Sequence, residues 1–334
     1  MKKYLIYSDM HWSKNSSILI GKGSKYSLRL ENCIKTLNWI YDLAKKENCE
    51  RVISAGDFFD KSILNSEEIT ALKEVNFTTP TTYLIGNHEA STLDLSLSST
   101  NVFNDEIIYE QKVIPLTNEI DLIYLPYITT ASSINLGDFI KKDGKRKIVI
   151  SHNDIAGIQY EGGLISQSGF DKQSILDNCD LFLNGHLHNK KIIDKKIFIL
   201  GNITGKGFNE NALMFKHCAY ILSVEGSKIK ISEVENPYAL NLVTCDQDKV
   251  DQVLSIPNLV LKVKCDSDAS DLQKKLSNNN IIAWKIVLSD KNKGTLALSE
   301  FKQINYYDEF VSYVKDLFSD NDIIKEELSR AIGG

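Results

Sequence analysis

The chain has 334 residues, 43% of them hydrophobic and 25% charged, with a formal charge of −5. That composition argues against intrinsic disorder and supplies enough apolar material for a full core, with two domains expected. The negative balance provides no overall cationic field, so a nucleic acid would have to be met by a local patch or by bound metal ions.

The chain begins with "MKKYLIYSDMHW". Its apolar run is too short for the core of a signal peptide and ends in Asp and His, and no later stretch approaches a membrane span; the expectation is a cytoplasmic protein with no membrane contact. Cys33, Cys49, Cys179, Cys218, Cys245 and Cys265 form no C-x-x-C pair, which predicts reduced thiols rather than a disulfide frame.

One phrase recurs over the first two thirds: a short β-branched or aromatic run, then a sharp polar cluster. "YLIYSDMH", "RVISAGDFFD", "TTYLIGNHE", "KIVISHND" and "LFLNGHLH" all follow it, each reading as a strand buried on both faces. Between the first two, Leu30, Ile34, Leu37, Ile40, Tyr41 and Ala44 fall at helical spacing and predict a crossover helix. A second helix is predicted in "NSEEITALKEVN", with Asn65 and Glu68 as a capping pair. Beyond residue 107 the runs "DEIIYEQKVIPL" and "EIDLIYLPYI" follow without crossover helices, as do "KKIFILGNIT", "CAYILSV" and "SKIKISEVE". The prediction is a mixed α/β fold, a two-sheet β-sandwich flanked by helices.

Pro237 and the polar "TCDQDKVD" read as a loosening, after which "NLVLKVKC", "SDLQKKLSNNN" and "IIAWKIVLSD" suggest a small βαβ-like unit. The expected divisions are 1–236, 237–304 and a helical tail, 305–334. Tyr307, Phe310, Val311, Val314, Leu317 and Phe318 lie on one helical face of that tail.

The polar clusters carry the chemistry. They are Asp9-Met10-His11, Gly56-Asp57-Phe58-Phe59-Asp60, Gly86-Asn87-His88-Glu89, Ser151-His152-Asn153-Asp154 and Gly185-His186-Leu187-His188, and they hold five of the chain's six histidines. A lone His or Asp at a strand end is ordinarily a turn former or a satisfied polar group. Five such clusters at converging strand ends are better explained as one site. Imidazole, carboxylate and amide oxygen make a borderline-hard donor set suited to Mn²⁺, Fe²⁺ or Zn²⁺. In D-x-H and H-x-H, an extended backbone would point both side chains the same way.

The series D-x-H, G-D-x-x-D, G-N-H-E, S-H and G-H-x-H, in that order over residues 9–188, resembles the signature of the calcineurin-like metallophosphoesterase superfamily. The resemblance implies that Asp9, His11, Asp57 and His188 hold one metal, and that Asp57 bridges to a second held also by Asn87, His152 and His186. It implies that His88 is catalytic and that Glu89 and Asp60 orient ligands and backbone from behind. The implied chemistry is two-metal hydrolysis of a phosphoester, with Mn²⁺ expected and Mg²⁺, Fe²⁺ or Zn²⁺ as alternatives.

"SDMHW", "GDFFD", "GNHE" and "SHNDIAGIQY", followed by a separate domain and a helical tail, are similar to the nuclease subunit of the SbcCD-type DNA repair complex, especially its bacteriophage versions. That similarity implies a DNA exonuclease, possibly also an endonuclease, with a capping domain that shapes DNA access. It also implies a tail docked on the coiled coils of an SbcC-like ATPase, and a homodimer within a heterotetramer. Lys190 and Lys191, next to His188, are candidate DNA contacts. The stretch "LGNITGKGFNEN" departs from the Gly-Ser/Thr-Pro turn common in the cellular nucleases. The alternative function is a metallophosphatase or phosphodiesterase acting on small molecules or phosphoproteins.

Overall fold

A computed structural model describes residues 1–16, 19, 23–158, 165–210, 212–266 and 269–288. Residues 1–287 make one compact unit. The predicted tail, 305–334, lies outside the described residues, as does the end of the 237–304 segment.

The strands, in chain order, are β1 (Lys2–Tyr7), β2 (Arg51–Ser54), β3 (Thr81–Leu84), β4 (Glu106–Ile108), β5 (Lys112–Pro115), β6 (Ile120–Leu125), β7 (Ser133–Ile134), β8 (Arg146–Ser151), β9 (Ile155–Ala156), β10 (Gly169–Asp171), β11 (Leu181–Asn184), β12 (Lys191–Ile193), β13 (Ile197–Ile199), β14 (Cys218–Glu225), β15 (Lys228–Glu235), β16 (Asn241–Asp246), β17 (Leu259–Cys265) and β18 (Ala283–Leu288). The first large sheet has the order β15-β14-β1-β2-β3-β4 and the second β12-β13-β11-β8-β6-β5. In the first, β1 to β4 run parallel and β14 and β15 add an antiparallel edge. In the second, β6, β8, β11 and β13 are parallel, with β5 and β12 antiparallel at the two edges.

The period of two along each strand sorts the core. Tyr4 and Ile6 of β1 join Ile53, Leu84, Leu122, Tyr124, Ile148, Ile150 and Leu183 in the apolar layer between the sheets. Leu5 and Tyr7, on the opposite face of β1, pack with Val52 and Tyr83 against α1 (Leu28–Lys46). Ile123, Val149 and Phe182 do the same on the outer face of the second sheet, against α3 (Lys172–Asn178). Each inner strand is therefore buried on both faces, as its unbroken apolar run requires.

Helix α1 buries Leu30, Cys33, Leu37, Ile40, Tyr41 and Ala44; of the predicted stripe Ile34 is only half-buried, at the edge of the same cluster, and Cys33 joins the face. Ser27 caps it by accepting from Leu30 N, and Lys45 and Lys46 lie in its last turn, where they complement the helix dipole. The predicted pair at Asn65 and Glu68 forms a reciprocal capping box on α2 (Ser66–Ala71).

The polar stretch expected to loosen the chain, 244–251, instead begins within β16 and runs on through a 3-10 turn (Gln247–Lys249) into a short helix. Leu242, Val243 and Cys245 are buried while Thr244 and Asp246 face out, and β16 pairs in parallel with β17 in a three-stranded sheet with β18. Helices α4 (Val250–Val253) and α5 (Ser270–Ser277) accompany this sheet, and Val243, Val253, Leu259, Leu261, Val263 and Leu276 form its own apolar cluster. Among the described residues no helix is long and apolar enough to cross a membrane.

Candidate metal centre

The carboxyl ends of β1, β2, β3, β8 and β11 converge, so the five polar clusters meet although they are spread over residues 9–188. Three groups of side chains bring ligand atoms within 4.8 Å of one another: Asp9, His11 and His188; His11, Asp57 and His88; and Asp57, His152 and His186. Asp57 belongs to two of them. His11 Nε2 and His188 Nε2 are 3.0 Å apart, with Asp9 Oδ1 at 3.9 and 3.7 Å from them. On the other side of Asp57, Oδ2 lies 3.3 Å from His152 Nε2, and Asn87 Oδ1 is 3.0 Å from His186 Nδ1. His186 and His188 thus turn to different groups from one short loop.

They do so by a route other than the extended backbone expected of D-x-H and H-x-H. Asp9, His11, Asp57 and His186 all have positive φ, at 54°, 47°, 50° and 72°. Strands β1 and β11 end at Tyr7 and Asn184, two residues before Asp9 and His186, so these side chains stand on loops rather than on strand backbone. Left-handed backbone at non-glycine residues is costly and persists where surroundings over-determine it, and such residues gather at functional sites. Gly56 makes room for the crowding, since a Cβ there would stand 2.1 Å from His152 Nδ1. At Gly86 a Cβ would stand equally close to Asp57 Oδ1.

Partners behind the centre fix the imidazole tautomers. His152 Nδ1 is 2.8 Å from the Ala55 carbonyl and His88 Nδ1 is 2.9 Å from the Asp60 carbonyl, so each ring donates there and turns Nε2 to the site. His11 Nδ1 lies 3.0 Å from Asp60 Oδ1, and His186 Nε2 lies 3.0 Å from Asp154 Oδ1. Glu89 is buried and accepts from four backbone N–H groups, those of Gly86, Asp57, Phe58 and Phe59, and so ties the second and third corners together.

Electrostatics reflect the crowding. Burial pushes His11 down to about 4, against the pull of Asp60 and Asp57. Burial would also lower His152, but the charge of Asp57 3.3 Å away, with Asp9 and the Ala55 carbonyl, carries it up to about 10. For Asp57 burial is outweighed by His152, His11 and His88, which hold its carboxyl well below the usual range. Burial and the nearby Asp57 push Glu89 up.

These residues fit divalent ions. Asp9 Oδ1 and His152 Nε2 are fully buried and have no hydrogen-bond partner among the described residues. If the His11 and His188 rings donate from Nδ1 to the carboxylates behind them, their Nε2 lone pairs face each other at 3.0 Å. Buried polar atoms left in this way are costly unless something positive satisfies them. Nitrogen and oxygen donors without thiolate suit Mn²⁺, Fe²⁺, Zn²⁺ or Mg²⁺.

A family model described as "Calcineurin-like phosphoesterase" matches residues 2–190. The chain belongs to that family. It is a metal-dependent phosphoester hydrolase by class, and its mixed two-sheet core is the family's fold. No curated protein is significantly similar in sequence. Among solved structures, a dimetal phosphatase from Danio rerio is 11% identical over 70% of this chain and 96% of that one, with a TM-score of 0.44. An archaeal phosphodiesterase is 14% identical over 70% and 99%, at 0.34, and a 5′-nucleotidase from Candida albicans 12% identical over 70% and 51%, at 0.37. Likeness of this degree says nothing about substrate.

Sequence reading passed over three groups at this phosphoesterase centre. Glu210 is buried, accepts from the N–H groups of Lys206 and Gly207, and lies 3.5 Å from His188 Nδ1, where it can orient that ring. Asp154 stood in its cluster without a role. Lys206 Nζ reaches Asp60 Oδ1 at 2.7 Å and His11 Nδ1 at 2.9 Å. Of the lysines singled out beside His188, Lys190 is turned to Glu233 at 2.7 Å, and Lys191 is exposed on the edge strand β12.

Proposed function

We propose that this centre hydrolyses phosphodiester bonds in DNA with two divalent cations, Mn²⁺ first among them. Asp9, His11, Asp57 and His188 would hold one ion, and Asp57, Asn87, His152 and His186 the other. The observation that carries the two-ion reading is the pair of unpartnered buried atoms, Asp9 Oδ1 and His152 Nε2, one on each side of Asp57. Such ions, when bound, neutralise phosphoryl charge and make water acidic enough to attack near neutral pH.

The chain's own residues supply the rest. His88 is the most open imidazole of the cluster, with a side chain 37% exposed and Nε2 3.9 Å from Asp57 Oδ2. With Nδ1 held by the Asp60 carbonyl, Nε2 is the atom that delivers a proton to the leaving oxygen. Asp60, Asp154 and Glu210 hold the rings of His11, His186 and His188 in the orientation that presents lone pairs inward. Water attacks directly, so no serine or cysteine nucleophile is required.

DNA as substrate rests on the order and wording of the five clusters, which are similar to the SbcCD-type nuclease subunit, and on the small sheet that follows the sandwich as that family's capping domain does. The same resemblance supports docking of residues 305–334 on an SbcC-like ATPase, with two copies of this chain in the assembly.

The test is an assay of the full chain with Mn²⁺ or Mg²⁺ on linear duplex DNA, single-stranded DNA and bis(p-nitrophenyl) phosphate, with and without chelator. DNA cleavage that chelator abolishes and that His88→Ala lowers by about 10²- to 10⁴-fold is expected. Turnover of the small ester with none of DNA, even with the ATPase added, would favour the small-molecule or phosphoprotein alternative and remove the nuclease reading. Deleting residues 305–334 should abolish co-purification with the ATPase while metal-dependent hydrolysis of the small ester persists.

A further inference from the structure

Lys206 is an unusual residue to find at a centre built to attract cations. Its backbone is pinned on both sides by buried groups. The Glu210 carboxylate takes the Lys206 N–H with both oxygens at 3.0 Å, and takes Gly207 N–H at 3.1 Å. Just before it, Asn202 Oδ1 accepts from Thr204 N at 2.8 Å and Gly205 N at 2.6 Å. The buried guanidinium of Arg29 donates to Thr204 Oγ1 at 2.9 Å and to the Met10 carbonyl at 2.9 Å, so the loop that carries Lys206 is tied to the loop that carries His11. The side chain at the end of this rigid support is 30% exposed. Groups held so firmly, yet open to solvent, are preorganised for contact with something outside the chain.

Hydrogen bonding leaves the ammonium with capacity to spare. His11 Nδ1 lies close to both Asp60 Oδ1, at 3.0 Å, and Lys206 Nζ, at 2.9 Å. If Nδ1 accepted from the lysine, the ring proton would sit on Nε2 and close the very atom that faces His188. In the tautomer that keeps Nε2 open, Nδ1–H donates to Asp60. Lys206 then has Asp60 as its acceptor and, among the described residues, two of its three N–H groups remain for a ligand. The imidazole of His11 stands between Nζ and the Nε2 pair. Lys206 Nζ is thus on the far side of the His11 ring from the candidate ion position, beyond a ligating distance and partly open to solvent.

We propose that Lys206 is a substrate-contacting cation, whose ammonium takes an oxygen of the phosphate neighbouring the one hydrolysed. The proposal rests on the phosphoesterase reading of this site and deepens it. It makes the preferred substrate a strand bearing successive phosphates rather than an ester with one. It also gives this acidic chain the local positive contact that its overall charge withholds, from a side chain more open than that of Lys190, which is 16% exposed and turned to Glu233. The contact is electrostatic and independent of base sequence.

The experiment uses the full Mn²⁺-loaded chain as wild type, Lys206→Met and Lys206→Arg, with melting curves to confirm that each variant folds. Steady-state kinetics on a single-stranded oligonucleotide and on bis(p-nitrophenyl) phosphate are measured across a salt series. Fluorescence anisotropy of a labelled oligonucleotide in Ca²⁺ is measured alongside. For Lys206→Met, KM and the anisotropy Kd for the oligonucleotide should rise about tenfold, kcat should move far less, and the log–log salt slope should shrink by about one. The loss on the one-phosphate ester should be several-fold smaller, and Lys206→Arg should restore the oligonucleotide KM and the slope. Equal loss on both substrates with an unchanged salt slope would mean that Lys206 only props up Asp60 and His11, and would overturn the proposal while leaving the nuclease reading intact. Wild-type turnover of the small ester with none of any strand would overturn both.

Discussion

Strand β8 carries charge at both ends, and the two ends are built differently. At its start, Lys147 is buried and donates to Asp121 Oδ2 at 2.7 Å and Asp143 Oδ1 at 2.7 Å, while Lys145 reaches Asp121 Oδ1 at 3.1 Å. No charge there lacks a protein partner, and neither Asp121, Lys147 nor Asp143 has a positive φ. Just past its other end, His152 meets Asp57 among five imidazoles and several carboxylates, with two buried atoms unpartnered and four residues in left-handed backbone. A cluster that satisfies itself is structural. One that is held open at a cost in strain and desolvation is completed by something the chain does not contain.

The sharpest way to break this contrast is to remove the residue shared between groups. Asp57→Asn should lower phosphoesterase activity by more than ~100-fold, since even partners behind a ligand are worth 10- to 100-fold. The same change should cost the metal-free protein stability near neutral pH, because His152, His11 and His88 favour the Asp57 charge over its burial, and His152 would lose its counter-charge. A melting curve in chelator checks this, and an unchanged or raised melting temperature would contradict that pairing. Glu210→Gln comes next, with metal affinity expected to fall about 10- to 100-fold through a misoriented His188. Titration calorimetry with Mn²⁺ reads this directly.

At the other end of β8 the expectation reverses. Lys147→Met should cost about 1–3 kcal/mol of stability, less than the ~3–5 typical of a bare buried charge, because Lys145 still reaches Asp121. Activity should stay within about twofold. The smallest effect is in pH. Burial raises the Asp121 carboxyl, but Lys147 and Lys145 outweigh it and hold it below its ordinary value of 3.8. A depressed carboxylate contributes stability above its unfolded pKa and loses it as pH falls through the folded one. The stability gap between wild type and Lys147→Met should therefore be level near neutrality and close below about pH 3.8 in acid denaturation.

Much of this centre was legible in the chain because short strands buried on both faces announce themselves, and polar residues after each have nowhere else to converge. Helix α1 and the Asn65–Glu68 box were legible for local reasons, a 3.6-residue period and a cap signature. Four things were not. The left-handed turns at Asp9, His11 and His186 leave no trace in composition, so alternation on an extended strand was the natural expectation. Strand β16 hid behind the polar Thr244 and Asp246 of its exposed face. Glu210 and Lys206 lie in a Gly- and Asn-rich loop where a single charge reads as surface, and only the fold brings them against His188, His11 and Asp60. The direction of the Lys190 ammonium, toward Glu233, was not legible either, since proximity to His188 in sequence says nothing of where it points. The departure of "GNITGKGFNE" from the expected turn was the one available sign that this loop was distinctive.

The central claim is that two ions complete the site. Anomalous diffraction at the manganese edge from crystals grown with Mn²⁺ tests it most directly. Two peaks are expected, one against Asp9, His11, Asp57 and His188, the other against Asp57, Asn87, His152 and His186. A single peak, or none within reach of Asp57, would contradict it.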